Sequence, residues 1–123
     1  MKITSFNPLI LTKDAESAIT LFEALGFERR HMKTGFSGDI TSVSMKDANG
    51  FHVDVTKVDT LPGDMVTIRV NVDNFEEAYE LLTARGFKNI HEGDGVTNTG
   101  SSRATMMVSP SGFSISHVQH IKD

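Results

Sequence analysis

The chain predicts an α+β fold made of two tandem βαβββ modules with pseudo-twofold symmetry, and three features carry that expectation. GFERRH at residues 26–31 is answered by GFKNIH at 86–91, sixty positions later in a chain of 123. The same offset carries Ala18 onto Ala78, Leu21 onto Leu81, Ala24 onto Ala84 and His31 onto His91. Around each repeated stretch, apolar and polar residues alternate with the period of a β-strand.

The elements follow in order. SFNPLILT (5–12) reads as an opening strand. Ala15, Ala18, Ile19, Phe22 and Leu25 then recur at helical spacing behind Asp14, a good N-cap residue. Gly26 stands where a helix end favours left-handed backbone. FERRHMKT (27–34), ITSVSMKD (40–47) and FHVDVTKV (51–58) complete the module, and Asn49-Gly50 marks a hairpin between the last two. TLPGD (60–64) reads as a linker inside one domain, between modules of about 1–60 and 65–123. The second module repeats the scheme with MVTIRVNVD (65–73), a helix from Asn74 through Phe75, Ala78, Tyr79 and Leu82, and Gly86 as terminator. FKNIHEGD (87–94), SRATMMVSP (102–110) and FSISHVQH (113–120) follow, with Ser111-Gly112 in the hairpin place. Asn74 and Glu77 together spell a capping box.

Composition bounds the function. With 38% hydrophobic and 23% charged residues the chain reads as an ordinary globular protein. A net charge of −4, and no basic run longer than Arg29-Arg30, argue against nucleic acid as a partner. The absence of cysteine excludes disulfides, thiolate nucleophiles and thiolate-bound metals, and fits a reducing cytoplasm. The apolar run near the N-terminus, four residues, is too short for a signal-peptide core or a membrane span, so no membrane partner is expected.

Strand alternation assigns faces. Val66, Ile68, Val70 and Val72 alternate with Thr67, Arg69 and Asn71; Phe51, Val53 and Val55 with His52 and Asp54; Phe113 and Ile115 with Ser114 and Ser116. The apolar set is expected under the helices, which places the helices on one side of the sheet. The polar set faces either solvent or a concavity.

Two βαβββ modules with DAESAITLFEALGF (14–27) after the first strand resemble the vicinal oxygen chelate superfamily, the glyoxalase, bleomycin-resistance and extradiol-dioxygenase group. The resemblance runs from about Ile3 to His120 and implies a cupped, mainly antiparallel sheet around a cleft, usually in a homodimer. Metal-binding members of the group carry ligands on the first and fourth strand of each module. Carried over, those positions are Asn7 and Asp54 in one module and Thr67 and Ser116 in the other. Asp54 is a good ligand, Asn7 a weak one and the two hydroxyls poor ones, against the roughly three firm ligands an open catalytic metal needs. The resemblance therefore implies a member without the usual metal centre and with no cofactor.

His52 and Asp54 point the same way on one strand, either to share a metal or proton or as a polar surface pair. His31 and His91 read as structural or solvated residues near an edge, and His117 and His120, three apart on a strand, as facing opposite sides. GDGVTNTGSS (93–102) lacks a P-loop lysine and reads as a loop beside the cleft, a candidate lid. Met45, Met65, Met106 and Met107 read either as an adaptable apolar lining or as core filling. The leading expectation is a small-molecule-binding protein with Asn7, His52, Asp54, Thr67, Arg69 and Ser116 at its site. The alternative is a metal-dependent lyase, isomerase or dioxygenase with a ligand set built on His52 and Asp54. Arg69, a cation on a polar strand face, suits an anionic ligand group if a cleft forms; otherwise it pairs with a nearby acid such as Asp54.

Overall fold

Each helix begins where a short polar side chain closes its first turn. In the computed structural model, which describes residues 1–34, 40–60, 62–90, 97–98 and 102–120, Asp14 accepts from Ser17 N at 3.1 Å and Asn74 from Glu77 N at 3.1 Å. The elements are β1 (Ile3–Thr12), α1 (Ala15–Ala24), β2 (Glu28–Thr34), β3 (Ile40–Lys46), β4 (His52–Lys57), β5 (Met65–Val72), α2 (Phe75–Ala84), β6 (Lys88–Asn89), β7 (Thr97–Asn98), β8 (Ser102–Val108) and β9 (Ser114–His120). This is the expected α+β class, two βαβββ sets plus the two-residue β7. The capping box at Asn74 is incomplete: Glu77 does not reach back to the cap but binds the Met1 amino group at 3.1 Å. Thr97, Asn98 and Ser102 are in strands, and the rest of the 93–102 segment read as a lid lies outside the described residues, as does His91. No helix among the described residues is long and apolar enough to cross a membrane.

The chain forms two compact units, Asn7–Val66 and Met1–Phe6 with Thr67–Asp123. In the first, the strand order is β2-β3-β4-β1. Its β2/β3 and β3/β4 pairs are antiparallel, whereas β1 and β4 run parallel with Leu9 opposite Asp54. The parallel pair follows from connectivity. α1 carries the chain across the sheet to its far edge, and three antiparallel strands walk back to β1. The second unit repeats this as β5-β9-β8-β6, with β7 on β8, and its parallel pair sets Arg69 opposite Ser116.

Alternation decides which side of each sheet the helix covers. Ala15 and Ile19 of α1 pack on Val43, Met45, Val53 and Val55. In the second unit Ala78 packs with Val70 and Val72, flanked by Ile68 and Ile115. Phe22 is half-buried against the first cluster, and Leu82 is half-buried on α2. Three expected inward residues are instead exposed: Phe51, Val66 and Phe113. Phe51 and Phe113 immediately precede their strands and Val66 is the second residue of its own, so all three lie at strand ends rather than at the covered centres. Phe113 meets Phe87 edge-on, at 5.6 Å between ring centroids. Met45 and Met107 are core residues, 0% and 1% exposed.

His117 is the polar member of the second core. It is 1% exposed, its ring lies 4.5 Å from that of Phe75, and neither ring nitrogen has a hydrogen-bond partner among the described residues. Burial lowers its pKa from 6.5 to about 4, with Glu76 opposing weakly. His120 is exposed, three residues on.

Two predictions follow from this packing. Gly26 and Gly86 end the helices at φ 107° and 89°, but only at Gly86 would a Cβ meet Pro110 Cγ, at 2.9 Å. Alanine at Gly26 should cost about 1 kcal/mol in urea unfolding for left-handed backbone, and at Gly86 roughly twice that or more because Pro110 must also move. For His117 the folded pKa lies below the unfolded one, so the unfolded chain binds the extra proton between them. Stability should therefore be complete above pH 6.5 and fall as pH drops toward 4. The loss is on the order of 3 kcal/mol at most. In His117→Leu this component of the pH dependence should vanish from unfolding curves.

Candidate functional site

The faces turned away from the helices hold the predicted site residues, three in each compact unit. In the first unit the structure brings Asn7 and Asp54 together: Asn7 Nδ2 donates to Asp54 Oδ2 at 3.0 Å and to the Pro8 carbonyl at 2.9 Å. Both residues are 6% exposed. The neighbouring strands place Asp54 opposite Ser44, and His52 opposite Lys46. His52 shares the face of Asp54 but is exposed, and it makes no hydrogen bond with Asp54.

A bulge changes the reading of β2. Arg29 pairs with Met45, on the helix side, and its guanidinium meets Glu23 of α1 at 3.1 Å. The register shifts between Arg29 and His31, so His31 pairs with Ser44 and shares the face of Asp54. Without that extra residue, Arg29 and His31 would point the same way. Two rows of side chains thus cross the sheet: Glu28, Lys46 and His52, then His31, Ser44 and Asp54. His31 is solvated near the edge, as the sequence reading has it. Its face and the place of Lys46 beside His52 were missed, because strand register and the bulge are not written in the local pattern.

In the second unit Thr67, Arg69 and Asn71 of β5 share a face with Ser114 and Ser116 of β9, since Ile68 and Ile115 pair on the helix side. Thr67 is 1% exposed, Ser114 3% and Ser116 9%, while Arg69 is half-buried. Thr67 Oγ1, Asn71 Oδ1 and Ser114 Oγ are buried without a hydrogen-bond partner among the described residues. Arg69 and Asp54 each do have partners.

These donors fit a metal poorly. Among the described residues no three of His, Asp, Glu and Cys gather to hold an ion. The Asn7 amide turns its nitrogen, not its oxygen, toward Asp54. Thr67 and Ser116 offer neutral hydroxyls, weak ligands for any divalent ion.

No known family profile and no curated protein matches the sequence. Solved structures do match in shape. A glyoxalase/bleomycin resistance protein/dioxygenase superfamily member from Vibrio splendidus 12B01 is 17% identical with TM-score 0.63, over 96% of this chain and 99% of that one. A methylmalonyl-CoA epimerase in complex with methylmalonyl-CoA and NH4+ is 14% identical with TM-score 0.66, over 97% and 96%. A glyoxalase I mutant from Zea mays is 12% identical with TM-score 0.69, over 98% of this chain and 45% of that one. Paired βαβββ modules, the parallel first and fourth strands and these likenesses agree: the chain has the vicinal oxygen chelate fold.

Proposed function

We propose that the chain is a small-molecule-binding protein of the glyoxalase/bleomycin-resistance type that works without the usual metal centre. The observation that supports this most directly is the set of oxygens on Thr67, Asn71 and Ser114, beside Arg69, that have no hydrogen-bond partner among the described residues. A buried polar atom with no partner costs about 1–3 kcal/mol, so a folded protein retains such atoms where water or a guest satisfies them. Arg69 adds a planar fork of donors suited to an anionic or strongly hydrogen-bonding group. Ser116 completes this recognition surface on its own unit, and Asn7, His52 and Asp54 supply polar groups on the uncovered face of the other unit in this reading. A fold neighbour whose structure contains methylmalonyl-CoA supports a small organic guest.

The protein acts as a cytoplasmic homodimer in this proposal. Exposed Phe6, Leu21, Leu25, Phe51, Val66 and Phe113 supply apolar surface for a second copy to cover.

Native mass spectrometry of protein taken directly from cells, with metal analysis of the same sample, tests the reading. A co-purified small molecule without stoichiometric metal is expected. Near-stoichiometric zinc, nickel, manganese or iron would instead favour a metal-dependent lyase, isomerase or dioxygenase. Arg69→Met should retain the fold and weaken binding of the recovered molecule by roughly 2–5 kcal/mol, as truncating a desolvated charge contact does.

A further inference from the structure

We propose that the face of β2, β3 and β4 turned away from α1 carries an oxyanion-binding site, formed by His31, Lys46 and His52, that takes a carboxylate or phosphate group. This deepens the small-molecule reading and rests on it. His52 stands directly across from Lys46, at a cross-strand distance of about 5 Å between Cβ atoms. His31 stands across from Ser44, which is two residues before Lys46 on the same strand. That makes His31 the diagonal neighbour of Lys46, about 7–8 Å away and within reach of side chains of this length.

The bulge is the second observation. It turns His31 from the helix side, where Arg29 points, to the face shared with Lys46 and His52. Bulges re-aim side chains in this way at sheet edges, where β2 lies, and next to active sites. Lys33, opposite Ser42, adds another cation to the same face.

The chemistry selects an anion. An ammonium group supplies three donors, and each imidazole supplies at least one. Lys46 is half-buried, yet among the described residues it makes no ion pair, although Glu28 lies opposite it on β2. The imidazoles of His31 and His52 likewise have no hydrogen-bond or ion-pair partner among the described residues. Asp54, the acid of the adjacent row, is already engaged with Asn7. A metal cation would meet the repulsion of Lys46 and Lys33. An oxyanion meets Glu28 and Asp54 on the same face, but Asp54 is engaged by Asn7 and Glu28 lies on the far side of Lys46 from His52. The anion is therefore held between the ammonium and the imidazole donors.

Amide-resolved NMR of the full chain, titrated with inorganic phosphate and separately with malonate against sodium chloride at equal ionic strength, tests the site. Signals of His31, Ser44, Lys46 and His52 should move saturably with one or both anions; phosphate alone points to a phosphate ester, malonate alone to a carboxylate. Lys46→Met should weaken the interaction by about tenfold or more while leaving signals of the helix side in place. Absence of saturable movement with either anion, or unchanged affinity in Lys46→Met, overturns the site. If the molecule recovered from cells binds Lys46→Met normally but is lost in Arg69→Met, the oxyanion site is wrong and the small-molecule reading stands. Phosphate binding through Lys46 in a protein that carries no small molecule from cells would separate the two the other way.

Discussion

One-sided cover of an alternating sheet is the constraint on which everything else in this protein depends. Ile19, fully buried, presses on Val43, Met45, Val53 and Val55, and the pleat then sends Ser44, Lys46, His52 and Asp54 to the opposite face. Because the side-chain period is two, a slip of one residue would put Asp54 under the helix and the valines into water. Burying those apolar side chains stabilises the fold by about 1.5–3 kcal/mol each, which makes the slip prohibitive. The face that carries the chemistry is thus fixed by residues that take no part in it.

The second module obeys the same rule with different contents. Counting from the hairpin glycines Gly50 and Gly112, Val55 and His117 occupy the same place, and sixty residues separate Ala15 from Phe75. A small residue over valine in one copy becomes a phenylalanine stacked on histidine in the other. Arg103 lies on the Phe75 ring, 4.5 Å from its centroid, and pairs with Glu76. Large aromatic surface therefore replaces aliphatic packing, at the cost of an imidazole with no hydrogen-bond partner among the described residues. The polar faces diverge as well. The first unit offers cations, imidazoles and the Asn7–Asp54 bond; the second offers hydroxyls, an amide and Arg69. Repetition set the scaffold, and divergence on the uncovered faces distinguishes what each can recognise.

Much of this was legible in the residues. Asp14 and Asn74 cap the helices, Gly26 and Gly86 end them, and the alternation around Val53 and Val70 names the covered side, because these signals are local and period-bound. What was not legible depends on partners far along the chain. Phe51 and Phe113 look like core by alternation, yet whether a helix turn reaches them is set by tertiary geometry. Glu77 looks like half of a capping box until the Met1 amino group competes for it. His31 changes face at a bulge that no glycine announces. Of the site residues, alternation placed His52, Asp54, Thr67, Arg69 and Ser116 on the uncovered faces, but the bond joining Asn7 to Asp54 needed the parallel pairing of β1 and β4.

The face assignment itself can be measured without knowing any ligand. The chain has no cysteine, so single substitutions give unambiguous thiol probes. His52 is exposed and its neighbour Val53 is 2% exposed, on opposite sides of one strand. In the native protein, His52→Cys should react with a thiol reagent at nearly the rate of a free thiol, while Val53→Cys should react only on unfolding. Equal rates for the two, or faster reaction at Val53→Cys, would contradict the covered and uncovered sides on which the candidate site is built.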